Sequence, residues 1–149
     1  MEMKLSEHVT RSEFQRSDTA IKLGINNAMN EAQLKSAKAL CENVFEPIRE
    51  HVGKPIRINS GFRSAALNKR IGGASSSQHC KGEAMDLDLT SRELFVWILK
   101  NVEFDQAIYE FGDDKNAAWF HISYRQGNNR KQALRAIKVN GSTQYIPFK

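Results

Sequence analysis

Apolar residues recur every three or four positions through the first third of the chain, which predicts an amphipathic helix over residues 31–51. Asn30 fits an N-cap because Gln33 follows three positions later, and Gly53 suits the end of the helix. Pro47 is expected to kink the last turns. The predicted buried stripe consists of Leu34, Ala37, Cys41, Val44, Phe45, Ile48 and Val52.

Strands are predicted where apolar and polar residues alternate. The last two strands flank Asn140 and Gly141, a dipeptide that suits the type I′ turn of a hairpin. A turn-rich segment over 112–116 joins another pair of strands. The predicted strands are residues 54–60, 85–89, 104–111, 119–125, 132–139 and 142–148.

Shorter helices complete the pattern. Thr10 and Glu13 resemble a capping box, residues 65–70 form a small helix, and Ser91 caps a helix with apolar residues at Leu94 and three further positions. A chain of 149 residues suits one core. The predicted fold class is therefore α+β: a single compact domain over residues 1–149, with a mainly antiparallel central sheet flanked by helices.

Charge and targeting signals narrow the partners only slightly. The chain has 22 Lys and Arg against 17 Asp and Glu, and a net charge of +5 favours polyanions such as nucleic acid or acidic wall polymers. No nucleic-acid-binding motif accompanies the charge, so a specific nucleic-acid partner is not expected. The N-terminus shows no signal peptide, no stretch is long enough to span a membrane, and we expect a monomer.

Three residues form a candidate metal site. His79 lies in a polar loop, and the small residues that follow let the chain turn so that His79 and Asp86 face one point. Asp86 projects from the polar side of a buried strand, where a carboxylate is costly unless paired or metal-bound. His121 lies on the polar face of a later strand. Three ligands leave one position open, which is typical of a catalytic zinc.

Alternatives to this set remain open at the level of sequence. Asp88 lies on the same face as Asp86 and is the rival ligand. Cys80 is a conceivable fourth ligand, although a residue adjoining His79 is expected to point elsewhere, and a disulfide with Cys41 stays open. The other two histidines lack comparable neighbours, and the helix dipole accounts for His51.

A catalytic zinc also needs a general base, for which we select Glu110. If the hairpin turns around residues 113–116, Glu110 lies opposite Trp119 and diagonal to His121, within reach of a zinc-bound water. Asp113 and Asp114 are the fallbacks, and a surface role for Glu110 is the alternative. The partner residues Gln106 and Ile108 then share the site face, while Ala107, Tyr109 and Phe111 enter the core.

The motifs around these residues resemble the zinc D-alanyl-D-alanine carboxypeptidase family. That family also holds vancomycin-resistance dipeptidases and phage endolysins, and it shares its zinc fold with Hedgehog domains. The resemblance implies Zn²⁺ on His79, Asp86 and His121, a substrate carboxylate on Arg63, and a hydrogen bond from Ser77. The segments that carry it are Ser60-Gly61-Phe62-Arg63-Ser64, Asn68, Gly72-Gly73, Ser77 to Asp86, and Trp119-Phe120-His121.

The resemblance implies a zinc metallopeptidase that cuts peptidoglycan stem peptides at bonds involving D-alanine. Small phage-associated members are the most similar, so we expect a lysis enzyme made in the host cytoplasm that acts on the wall or travels in a virion. Many members place the catalytic carboxylate three residues before the last histidine, where this chain has Ala118. The alternative is therefore a catalytically inactive, zinc-containing wall-binding or phage structural module.

Overall fold

The apolar stripe of the first third forms one long helical column. In the computed structural model, which describes residues 2–149, α3 (Glu31–Leu40) passes through a π-helical turn (Cys41–Phe45) into α4 (Glu46–Val52). Asn30 and Gln33 form the predicted capping box, and Gly53 ends the column with φ 76°. The disturbance expected at Pro47 takes the form of the π turn just upstream, where the Glu46 N–H bonds to a carbonyl five residues back.

Six strands form the central sheet in the order β3-β4-β6-β5-β7-β8. All neighbouring strands are antiparallel except β5 and β7, which run parallel, so the predicted mainly antiparallel sheet is confirmed. The β7–β8 pair is the hairpin predicted around Asn140 and Gly141. The strands are β3 (Ile58–Ser60), β4 (Ala84–Leu87), β5 (Gln106–Glu110), β6 (Trp119–Ser123), β7 (Gln132–Val139) and β8 (Ser142–Pro147).

One face of the sheet is covered by helices and holds the core. The α3–α4 column and α6 (Arg92–Asn101) pack there, and Ser91 caps α6 as predicted. Phe95 of α6 makes edge-to-face contacts with Tyr109 and Phe120. Because aromatic rings bury large areas, this cluster contributes strongly to the hydrophobic stabilisation of the sheet. The opposite face, which carries Ile108, Glu110 and His121, lines a cavity.

The N-terminal segment supports the sheet from one end. A two-stranded ribbon, β1 (Lys4–Ser6) with β2 (Val9–Thr10), leads into α1 (Arg11–Gln15) and α2 (Asp18–Leu23). The Thr10 hydroxyl accepts a hydrogen bond from the Glu13 N–H, as the capping-box pattern predicts. Phe14 of α1 is fully buried, and its carbonyl accepts the Phe62 N–H just after β3.

The structure corrects several details of the predicted elements. The strand predicted over 54–60 is confined to Ile58–Ser60, whereas the small helix over 65–70 forms as predicted, as α5 (Ala65–Arg70). Phe111 was expected in the core, but its φ of 55° breaks the strand alternation, and its ring lies against Trp119 instead. Cys41 and Cys80 are both free thiols. No helix within residues 2–149 has the length and apolarity needed to cross a membrane.

Candidate active site

Hydrogen bonds to Ser77 and Gly61 hold His79 in one orientation. Ser77 begins a 3₁₀ turn (Gln78–Lys81), and its hydroxyl accepts the His79 N–H. His79 is 2% exposed, and its Nδ1 lies 2.7 Å from the Gly61 carbonyl. A Cβ on Gly61 would meet the Phe14 carbonyl at 2.2 Å, so only glycine allows this approach. The Gly61 carbonyl thus orients the imidazole ring.

Asp86 and His121 lie directly opposite each other on β4 and β6. His121 Nδ1 is 2.9 Å from Asp86 Oδ1, and His79 Nε2 is 3.4 Å from the same oxygen. One donor atom from each of the three residues lies within 4.8 Å of the others. The rival Asp88 is exposed and is not part of this group, and neither is Cys80. The structure therefore brings the three predicted ligands together.

The donor atoms fit a bound cation. A carbonyl only accepts hydrogen bonds, so His79 carries its proton on Nδ1, and the lone pair on Nε2 faces the Asp86 carboxylate. Tetrahedral zinc with bonds of about 2.0–2.1 Å separates its ligand atoms by roughly 3.3 Å. The 3.4 Å between Nε2 and the carboxylate oxygen is close to that separation. His79, Asp86 and His121 could hold zinc with little movement.

Protonation states also favour a cation. Burial lowers the pKa of His79, which keeps the ring neutral and its Nε2 lone pair available near pH 7. Burial alone would raise the pKa of Asp86, but the hydrogen bond from His121 and the proximity of His79 bring it well below its ordinary value. An ionised carboxylate beside the neutral imidazole of His79 is donor chemistry that zinc binds.

Glu110 faces the same space from β5. It pairs with Trp119, while Ile108 pairs with His121, so the predicted register is confirmed. Glu110 is 7% exposed, and burial raises its pKa to about 7; the neighbouring His121 lowers it and Asp86 raises it further. A carboxyl with this pKa can both accept and donate a proton near neutral pH. Its role as a base remains a prediction.

The fallback carboxylates have other partners. Asp113 Oδ1 accepts the N–H groups of Lys115 and Asn116 within the turn, and Asp114 forms an ion pair with Arg135. Neither lines the cavity beside His79. The N–H of Ala118 donates to the Glu110 carbonyl, so Glu110 adjoins the position where many family members carry their acid.

A cavity of about 720 Å³ is lined on one side by the metal-ligand candidates His79, Asp86 and His121.

 Arg63 borders this cavity from the loop after β3, and its Nε is buried with no hydrogen-bond partner among residues 2–149. A buried N–H without a partner favours an incoming acceptor, such as a carboxylate. Ser77 also borders the cavity, although its hydroxyl already accepts the His79 N–H. The substrate roles predicted for both residues stay predictions.

The far wall of the cavity was not predicted from the sequence. This wall comes from the β7–β8 hairpin and its preceding loop, which contribute Arg130, Gln132, Leu134 and Tyr145. The hairpin was predicted, but its parallel pairing with β5 was not, and only that pairing brings it to the cavity. The same applies to the fully buried Asp105, whose carboxylate binds Arg130.

An α+β domain with a His–Asp–His cluster and a neighbouring glutamate has the composition of a metal-dependent hydrolase. The profile of the Peptidase M15 family matches residues 7–123, and the chain belongs to that family. The predicted class, a zinc metallopeptidase related to D-alanyl-D-alanine carboxypeptidases, is thereby confirmed. The zinc D-Ala-D-Ala carboxypeptidase of Streptomyces albus G is 51% identical over 49 residues, a match that covers 32% of this chain and 19% of that relative.

Proposed function

We propose that this protein is a zinc-dependent peptidoglycan peptidase that hydrolyses stem-peptide bonds involving D-alanine. The observation that carries the proposal is the shared cavity in which Glu110 faces the donor atoms of His79, Asp86 and His121. The similarity to a zinc D-Ala-D-Ala carboxypeptidase supports the choice of bond. Arg63 lies on the same cavity and offers an N–H without a partner.

In the proposed reaction each residue has one task. His79, Asp86 and His121 would hold the zinc, which when bound polarises the scissile carbonyl and lowers the pKa of a water molecule. Glu110 accepts a proton from the attacking water and passes it to the nitrogen of the leaving amine. Arg63 binds the terminal carboxylate through two parallel N–H···O bonds and so positions the scissile bond.

Incubation of the zinc-loaded protein with purified muropeptides, followed by mass spectrometry, tests the proposal. We expect loss of a terminal D-alanine or cleavage of a cross-link next to D-alanine. Glu110→Gln should be inactive, whereas Asp114→Asn, which removes a nearby exposed carboxylate outside the cavity, should match wild type. If the wild-type protein yields no product with several wall types but binds the wall, the inactive wall-binding module is the better description.

Arg63→Lys separates a carboxypeptidase from an endopeptidase. Lysine keeps the charge but loses the planar fork, so cleavage of a peptide with a free terminal carboxylate should slow by about ten-fold. Cleavage of a cross-link that lacks this carboxylate should change much less. Equal rates for the variant and wild type on both substrates would show that Arg63 does not bind the substrate carboxylate.

We further propose that the enzyme serves phage lysis, either released from the host cytoplasm or carried in a virion. The net charge of +5, which favours an anionic wall, supports this role, as does the resemblance to small phage-associated members. Expression in a Gram-negative host should be tolerated until the inner membrane is permeabilised, and lysis should then follow. Equal lysis with Glu110→Gln would refute Glu110 as the base, and absence of lysis with both proteins would favour the structural module.

A further inference from the structure

The order of the strands gives the substrate a direction across the sheet. Arg63 follows β3 at one edge, Asp86 and His121 lie on β4 and β6, and Glu110 lies on β5. A peptide with its carboxylate on Arg63 and its scissile bond at the metal ligands must therefore send its remaining residues over β7 and β8. The acyl side of the substrate meets the hairpin.

Two rows of side chains cross the sheet along this path. Strand register aligns Trp119, Glu110, Ala136 and Tyr145 in one row, from β6 to β8. The second row places Leu134 beside Ile108 and leads back to His121. The two rows are continuous with the metal ligands.

Tyr145 is the prominent side chain at the far end of its row. Between Glu110 and Tyr145 in the row lies Ala136, which is fully buried and has a short side chain, and both Glu110 and Tyr145 border the cavity. Tyr145 is 57% exposed yet borders the cavity. Burial raises its pKa, and the charges of Glu110 and Asp86 raise it further, which agrees with its position over the site. An exposed aromatic ring beside a cleft is suited to contact a ligand.

We propose that the β7–β8 hairpin forms the acyl-side subsite of the cleft, with Tyr145 as a specificity-determining contact. The proposal rests on the proposed function. Strands lie about 4.8 Å apart, so the path from β5 to β8 is roughly 10 Å, the length of about three extended residues. The subsite therefore selects peptides that carry about three residues before the scissile bond over acylated dipeptides.

The hairpin is fixed firmly enough to act as a subsite wall. The fully buried Asp105 carboxylate accepts hydrogen bonds from the Arg130 guanidinium and backbone N–H, and the Asp105 carbonyl accepts the Gln132 N–H. The same carboxylate accepts a hydrogen bond from Gln78, the residue before His79. One buried group thus joins the hairpin to the loop of a metal ligand. The hairpin lies outside residues 7–123, the region that the family profile matches.

Peptides of two lengths test the proposal. The probes are acetyl-D-alanyl-D-alanine and a longer acetylated peptide with two further residues before the same dipeptide. Wild type should cleave the longer peptide with the higher kcat/KM, and Tyr145→Ala should reduce the ratio of the two values roughly five- to ten-fold. Gln144→Ala is the matched control, because Gln144 is an exposed neighbour that faces the other side of the sheet.

Binding measurements make the test independent of turnover. In the zinc-loaded Glu110→Gln background, calorimetry should give a lower Kd for the longer peptide, and Tyr145→Ala should weaken that binding more than it weakens binding of the dipeptide. Equal Kd values for the two peptides, or an equal loss for both with Tyr145→Ala, would overturn the subsite. Cleavage of both peptides with equal kcat/KM would reject the subsite and keep the proposed function. Length-dependent binding with no cleavage by the wild type would keep the subsite and reject the proposed function.

Discussion

Two clusters of histidine and carboxylate side chains occur within residues 2–149, and one of them lines the cavity beside Glu110. His79, Asp86 and His121 form one, and Glu7, His8 and Glu46 form the other. In each cluster the donor atoms lie within 4.8 Å of one another. Distances and residue types therefore do not separate them. Their surroundings do.

The cluster at the N-terminus is closed by its own hydrogen bonds. Glu46 Oε1 lies 2.6 Å from His8 Nδ1, and Glu46 Oε2 accepts both the Ser6 hydroxyl and the His8 N–H. Both carboxylate oxygens are thus occupied, and Glu7 and His8 are exposed. The expectation that His8 lacks neighbours comparable to those of His79 was wrong, because its hydrogen bonds to Glu46 tie the β1–β2 ribbon to α4. We call this group of Glu7, His8 and Glu46 the surface clasp.

The central cluster is arranged in the opposite way. The Gly61 carbonyl occupies one nitrogen of His79, which directs the other nitrogen toward the Asp86 oxygen. The paired strands β4 and β6 hold Asp86 and His121, and Glu110 lies on the neighbouring strand β5. Rigid donors with lone pairs directed at one point, next to open space, are what a catalytic metal site requires. Whether the donor atoms are already used in hydrogen bonds is therefore a better guide to a metal site than how close together they lie.

Removal of one histidine from each cluster should give the largest contrast. We expect His121→Ala to lose stoichiometric zinc and all measurable peptidase activity, because two protein ligands hold the metal too weakly. His8→Ala should retain about one zinc per chain and full activity. Metal analysis after dialysis against buffered zinc measures both. If His8→Ala loses zinc, the surface clasp is a metal site after all.

The second-largest contrast is expected in kcat, when a carboxylate in or beside each cluster is replaced by an amide. Glu110→Gln is expected to lower kcat by about 10²- to 10⁴-fold with zinc content intact, because the variant cannot accept a proton. Glu46→Gln should leave kcat unchanged. Steady-state rates with a D-alanyl-D-alanine peptide give the comparison. A Glu110→Gln rate within ten-fold of wild type would assign the base to another group.

Glu110 should also destabilise the metal-free protein at high pH. Its folded-state pKa of about 7 exceeds the ordinary value of 4.5, so the free energy of unfolding falls as pH rises through that window. Metal-free Glu110→Gln should thus be more stable than wild type at pH 8, by about 1–2 kcal/mol, and show no such gain at pH 4. Urea unfolding in the presence of a chelator measures this. A gain that is equal at both pH values would exclude titration of Glu110 as its cause.

The surface clasp should give the smallest effect. Although burial raises the pKa of Glu46, hydrogen bonds from His8 and Ser6 lower it overall, so its contribution is present above the ordinary carboxyl pKa and lost as pH falls. Glu46→Gln should cost less than about 1 kcal/mol at pH 7, because exposed pairs contribute little. Thermal unfolding at pH 7 and pH 3 should show the difference shrink at low pH. A larger cost at pH 3 would refute the clasp.

The sequence was informative wherever local pattern determines geometry. The short turn after Glu110 determines which residue lies opposite it, and the structure confirms Trp119 in that place. The capping box at Asn30 and the turn at Asn140 were readable for the same reason. Each depends on residues a few positions apart, so propensity and spacing suffice.

Features that depend on contacts between residues far apart in the sequence could not be predicted from the sequence. Alternation predicts β7 and β8 but not that β7 lies parallel to β5, and so Tyr145 was missed. Phe111 follows the alternation of β5 in sequence, yet its left-handed backbone reverses the direction of its ring. Asp105 is one acidic residue among many until the fold buries it against Arg130. Tertiary context determines all three.

The tight contact at Gly61 has a consequence for mutational scanning. Any side chain there would collide with the Phe14 carbonyl and displace the support of His79, so a screen that scores only activity would rank Gly61 with the metal ligands. A parallel screen for protein abundance would separate the two kinds of position. Substitutions at Gly61 should deplete both readouts, whereas Glu110→Gln should deplete activity while abundance holds or rises.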